Sequence, residues 1–169
     1  MDIEWSSVYS KIYASTIDVK LRAFQYKILN NCLYLNEKLH LFKIVESPKC
    51  SLCNEVNQSI NHLFLECKVT KHFYADVQAW LNKVNVCLPL LNLENILLGL
   101  EGDTIQYFLL LIWKYVIYLT RAKQKLPKLN DFILTLTLYE KMEYIIAKKR
   151  SRLASHMKKY ENIRNLLYN

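Results

Sequence analysis

The sequence predicts an all-α fold, a helical domain interrupted by one inserted segment that follows no helical period. Two observations carry that expectation. Only two glycines (Gly99 and Gly102) and three prolines (Pro48, Pro89 and Pro127) stand among 169 residues, too few for the turns that a sandwich, a barrel or a dinucleotide-binding sheet consumes. Apolar residues recur instead at helical spacing along most of the chain. With 52% of residues hydrophobic, one ordinary domain can bury a substantial core.

Residues 5–13 give a short amphipathic opening helix, and 19–31 follow with Leu21, Phe24, Ile28 and Leu29 on one face. Asn30 and Asn31 interrupt, and a second short helix resumes over 33–42 with Asn36 as its N-cap. Ser47-Pro48 ends it. Residues 50–67 show neither a period of 3.6 nor one of 2, as expected of a segment folded around a metal. Helical spacing returns over 68–84 through Val69, Phe73, Val77, Trp80 and Leu81. Residues 88–103 read as a loop with one apolar anchor at 96–100. A buried helix over 104–124, a turn at 127–130 capped by Asn130 or Asp131, and one long helix from Phe132 to about Lys159 complete the chain. The expected organisation is N-terminal helices (1–49), the inserted segment (50–67) and a helical body with a basic C-terminal helix (68–169), all in one compact domain.

The net charge of +8 is unevenly spread: residues 1–120 hold 11 Lys/Arg against 11 Asp/Glu, and residues 121–169 hold 12 against 4. A neutral body with a cationic last third is the footprint of a polyanion binder, or of a solvated lysine-rich helix face. The most apolar window, 105–119, is interrupted by Gln106 and Lys114 and falls short of the roughly 18 residues of a spanning helix. No membrane partner is expected. The opening MDIEWSSVYSKIY lacks an apolar secretory core, so an intracellular, reducing compartment is expected, and cysteines that cluster there point to metal rather than to disulfides.

Cys50-x2-Cys53-x8-His62-x4-Cys67 is the chemically specific pattern. Two thiols two residues apart grip one ion from a tight turn, and His62 with Cys67 completes a tetrahedral three-Cys, one-His set. Thiolate-rich tetrahedral sites favour zinc. With no open ligand position, one zinc of structural type is expected. In an ideal helix His62 and Cys67 would lie roughly 140° apart, so the chain between them must bend or unwind, or Cys67 must start a helix. Cys32 and Cys87 read as buried small hydrophobes. His40, His72 and His156 read as surface or internally satisfied histidines, and Tyr107 and Tyr115 as core residues.

Residues 24–39 (FQYKILNNCLYLNEKL), then Cys50-Ser-Leu-Cys53, then His62-Leu-Phe-Leu-Glu-Cys67 resemble the reverse-transcriptase zinc-binding region at the C-terminal end of LINE-type non-LTR retrotransposon polyproteins. The likeness continues through Leu97-Leu-Gly-Leu100, the 114–121 segment, the 139–150 segment and His156-Met-Lys-Lys-Tyr160. It implies that Cys50, Cys53, His62 and Cys67 are the zinc ligands, and that the partners are nucleic acid and the polymerase part of the same element, in a cytoplasmic or nuclear ribonucleoprotein. Gln58 departs from the resemblance where an acid is frequent, and Tyr160 where tryptophan is common. A polymerase needs paired aspartates to hold two metal ions about 4 Å apart, and the sequence has no Asp-Asp. Tyr74-Ala-Asp-Val77 lacks the second acid, so Asp76 reads as an exposed helix residue and no catalytic centre is expected.

Two functions follow. The first is an accessory module binding single-stranded RNA or DNA without sequence preference, its phosphates met by Lys148, Lys149, Arg150 and Arg152, then Lys158, Lys159 and Arg164, with residues 148, 152 and 159 sharing one helix face. The second is a protein-interaction or scaffolding domain in which zinc serves folding alone. Neither involves a small-molecule substrate.

Overall fold

Nine α-helices, α1 (Trp5–Ser15), α2 (Val19–Leu29), α3 (Asn36–Leu41), α4 (Lys68–Leu81), α5 (Leu93–Leu97), α6 (Thr104–Ala122), α7 (Leu129–Lys149), α8 (Leu153–Tyr160) and α9 (Arg164–Tyr168), form the described part of the computed structural model. That part comprises residues 4–99 and 103–168, so Leu100 of the expected anchor and Gly102 lie outside it. A five-residue π turn (His62–Glu66) precedes α4, and a 3-10 turn (Asn82–Val84) follows it.

Helix α6 is the axis of the fold. Residues 108–113 are all fully buried, and a helix apolar on every side must be surrounded. Its start is fixed by a capping box, with Asp103 accepting from the Gln106 N–H and Gln106 accepting from the Asp103 N–H, each at 2.9 Å. Helices α1, α2, α7 and α8 pack around it. Trp113 stacks on Phe73 of α4 at 6.3 Å and meets Phe64 of the π turn at the same separation. One apolar core thus runs through the N-terminal helices, the inserted segment and the helical body. Tyr107 is buried and Tyr115 half-buried against Phe24 and Tyr139.

Four local expectations need correction. The long C-terminal helix is two helices: α7 stops at Lys149, Ser151 takes a left-handed φ of 54°, and α8 starts at Leu153. The expected loop at 88–103 contains α5, started by the Asn92 side chain accepting from the Asn95 N–H at 2.8 Å. It ends at Gly99, whose φ is +60° and where an added Cβ would lie 1.7 Å from the Tyr107 ring. Asn36 opens α3 without capping it; its amide donates to the Lys49 carbonyl at 2.8 Å. Cys32 and Cys87 are exposed, because in these extended stretches alternate residues point opposite ways and Leu33, Val86 and Leu88 take the inward positions. At the α7 start, Asp131 accepts from the Lys128 N–H at 3.0 Å from within the helix.

Lys114 is fully buried in α6, and its ammonium donates to Gln25 Oε1 at 2.6 Å and to the Ile96 carbonyl at 2.8 Å. Desolvation holds its pKa down to about 7, against about 10.4 for a free lysine. The unfolded chain therefore binds more protons above pH 7, and stability rises with pH from there. Above pH ~10 the trend reverses, because burial raises the pKa of Tyr107, Tyr139 and Tyr160 and favours their neutral forms in the fold. Urea unfolding of zinc-saturated protein should give a midpoint that climbs between pH 7 and pH 9, corresponding to a gain of about 1 to 3 kcal/mol. Lys114→Met should flatten that rise; a flat profile in the parent protein would contradict the assignment. Among the described residues, no helix is long and apolar enough to cross a membrane.

Candidate metal centre

The inserted segment begins as a minimal hairpin. Lys49 pairs antiparallel with Asn57, the Cys50 N–H donates to the Val56 carbonyl at 2.8 Å, and the Gln58 N–H donates to the Pro48 carbonyl at 2.9 Å. At its tip Asn54 adopts φ 59°, a left-handed state that asparagine tolerates, and its N–H returns to the Cys50 carbonyl at 2.8 Å. This tight loop turns Cys50 and Cys53 to the same side. Ser59 then nucleates the following turn, its hydroxyl accepting from the His62 N–H at 3.1 Å.

Between His62 and Cys67 the chain both unwinds and starts a helix. The Cys67 N–H donates to the His62 carbonyl at 2.8 Å, an i→i+5 bond that widens the turn and brings the fifth residue round to the same face. Cys67 itself is extended (φ −60°, ψ 123°) and stands as the N-cap position of α4. Leu63 and Phe64, both fully buried, hold this turn against α6.

The four ligand atoms lie within 4.8 Å of one another, and Cys53 Sγ is 3.3 Å from His62 Nε2. Tetrahedral zinc with bonds of about 2.3 Å to sulfur and about 2.0 Å to nitrogen requires separations of roughly 3.5 to 3.8 Å. The cluster is therefore close to zinc dimensions. Cys50 and Cys67 are fully buried, His62 nearly so and Cys53 half-buried. Glu66 Oε2 lies 3.8 Å from His62 Nδ1, the ring nitrogen other than the one that meets Cys53, beyond hydrogen-bond distance. A hydrogen bond from the Cys67 thiol pulls Cys50 down to about 4, and the same bond, with burial, pushes Cys67 up. A divalent ion bound here would displace the protons the thiols still hold.

Gln58, fully buried, joins this cluster to the core. Its amide nitrogen donates to Cys50 Sγ at 3.5 Å and to Ser51 Oγ at 3.2 Å, while its oxygen accepts from Arg121 Nη1 at 2.8 Å and the Asn36 N–H at 3.2 Å. An acid here, as the resemblance suggests, would meet Arg121 but lack the donor for sulfur. Arg121 also donates to the Tyr34 carbonyl at 2.9 Å, and burial lowers its pKa while the nearby Cys50 favours its charge. Three thiolates around a divalent ion carry a net charge of −1, which this buried guanidinium offsets. Neither Gln58 nor Arg121 was legible as a supporting residue, since nothing in their spacing links them.

The basic candidates divide. Lys148, Lys149, Arg150, Arg152 and Lys158 are exposed around the α7–α8 elbow. The expected common face of residues 148, 152 and 159 does not form, because Ser151 breaks the helix. Lys159 turns inward, donating to Glu143 Oε2 and the Ser15 carbonyl, each at 2.6 Å, with its ammonium 4.1 Å from the Phe108 ring centroid. Its assignment as a phosphate contact gives way to a buried ion pair. Arg164 is half-buried, against Met157 and the Tyr168 ring. His156 is buried on Glu140 at 3.0 Å, whereas His40, His72 and Asp76 are exposed.

A closed, buried Cys3His cluster on a helical scaffold defines the class of structural zinc modules. Residues 2–74, which contain all four candidate ligands, match the family model described as zinc-binding in reverse transcriptase. No curated protein and no solved structure matches the chain.

Proposed function

We propose that this chain is an accessory module from the C-terminal end of a non-LTR retrotransposon reverse transcriptase, binding single-stranded RNA or DNA and holding one structural zinc ion at Cys50, Cys53, His62 and Cys67. It carries no polymerase centre and works within a ribonucleoprotein in the cytoplasm or nucleus, beside the polymerase part of the element. The observation that carries the binding role is the elbow between α7 and α8, where Lys148, Lys149, Arg150 and Arg152 stand exposed with no ion pair among the described residues. Unpaired surface cations in a chain whose entire net charge lies after residue 120 are what a phosphate backbone attracts.

The test is a titration of fluorescent single-stranded RNA at several salt concentrations. Each neutralised phosphate contributes a slope of about −0.7 in log affinity against log salt. Changing Lys148, Lys149, Arg150 and Arg152 together to glutamine should weaken binding and flatten the slope by up to roughly 3. Helical circular dichroism should persist, since these side chains are exposed. Equal slopes for both proteins would remove the tail from the interface.

The second reading, a protein-interaction domain, is favoured by the exposed apolar stripe Leu134, Leu138, Met142 and Ile145 along α7. Salt-insensitive association with the polymerase part, lost on Leu138→Lys, would support it.

A further inference from the structure

The basic elbow does not stand alone. It forms one wall of a cleft of about 730 Å³, whose opposite wall is the α1–α2 junction and whose end is the start of α6. From the elbow side come Arg150, Arg152 and Lys158; from the junction come Tyr13 and Arg22. Arg22 was not a sequence candidate, because it lies in the electrically neutral first part of the chain. Its guanidinium is fixed by donating to the Thr16 carbonyl at 2.7 Å and the Tyr13 carbonyl at 3.1 Å, and it lies 4.5 Å from the centroid of the exposed Tyr13 ring.

The acids of the cleft are engaged. Glu143 is held by Lys159 at 2.6 Å, Tyr160 at 2.8 Å and Thr16 at 2.8 Å. His156 on the floor faces Glu140, and Asp103 at the rim is turned to its own helix, accepting from Gln106. Among the described residues, what faces an occupant is mainly cationic, Arg22, Arg150, Arg152 and Lys158 against the one exposed acid Asp103 at the rim, with one aromatic face. A cavity of this size suits a drug-sized organic ligand, and hence a short run of nucleotides. Aromatic faces that stack on unpaired bases, flanked by a cationic track for the backbone, are the usual means of gripping single strands.

We propose that single-stranded nucleic acid lies in this cleft, its phosphates on Arg22, Arg150, Arg152 and Lys158 and one base stacked on Tyr13. The inference rests on the nucleic-acid reading above and adds the strand's path and an N-terminal contribution to it.

The experiment compares two paired variants of the full, zinc-loaded chain with fluorescent single-stranded RNA: Arg22→Gln with Lys158→Gln inside the cleft, and Lys148→Gln with Lys149→Gln outside it. The first pair should weaken binding roughly tenfold and flatten the salt slope by about 1.4, with the second pair far less affected. Arg22 also braces the α1–α2 turn, so unmodified protein is photo-crosslinked in parallel to thiouracil-containing RNA, and the crosslinks should map to the segment holding Tyr13 and to α8. If the parent protein binds but the outside pair has the larger effect and crosslinks avoid residues 13–22, the cleft is overturned while the nucleic-acid reading stands. If the parent does not bind at low salt, that reading falls and the cleft with it.

Discussion

Stripping zinc with a strong chelator, or replacing Cys67 with serine, should release residues 48–69 from their fold. Structural zinc contributes on the order of 10 kcal/mol of apparent binding energy in small modules at neutral pH, and here it would hold a hairpin and a π turn whose other anchors are Leu52, Ile60, Leu63 and Phe64 in the core and Gln58 on Arg121. Hydrogen exchange should accelerate at Cys50, Cys53 and His62 first. The body should keep much of its helical circular dichroism, because α6 and α7 bury their faces on each other without the metal. It will not be untouched, however. Leu63 and Phe64 are core residues packed on α6, and Gln58 is a main partner of the buried Arg121, so the melting temperature of the remaining helices should also fall. Unchanged exchange across 50–67 after confirmed zinc loss would show that the segment folds without it. Because thiolates must be deprotonated to bind, acidification should mimic the chelator.

Glu143→Leu is the second large effect. One carboxylate there accepts from Lys159, Tyr160, Thr16 and the Ile17 N–H, in a site where the Glu143 side chain is 7% and that of Lys159 14% exposed. Removing it strands a buried ammonium and two hydroxyls, which costs about 3 to 5 kcal/mol. Pairing the change with Lys159→Met should recover much of the loss, since a buried pair replaced by apolar groups is often nearly neutral. Urea unfolding of both variants reads the difference directly. Equal instability of single and double variants would mean that shape, not the stranded charge, governs the site.

The zinc ligands were legible because four thiol and imidazole groups at that spacing have few other uses. The conflict over the His62–Cys67 angle was legible too, as a demand for distortion, and the structure meets it with a π turn ending at the start of α4. The break between α7 and α8 was not: Arg150-Ser-Arg contains neither glycine nor proline, and the left-handed state is carried by a serine. Lys159 looked like its neighbours because sequence does not reveal that Glu143, sixteen residues earlier, lies opposite it in the core. Arg121 escaped notice for the same reason. Its role depends on residues brought close by tertiary packing, at separations such as the 63 positions between Arg121 and Gln58.

The Glu143 cluster also ties the first helices of the chain to the last ones. It joins Thr16 to Glu143 across 127 positions, and Ser15 to Lys159 across 144. Contacts of such long range close late, because the chain's loop entropy is lost before they return any energy. The junction after α1 is accordingly held by α7 and α8 together, Glu143 accepting from the Thr16 hydroxyl and the Ile17 N–H while Lys159 donates to the Ser15 carbonyl. Both walls of the cleft are thus tied through one carboxylate, so loss of Glu143 should loosen the cleft along with the fold.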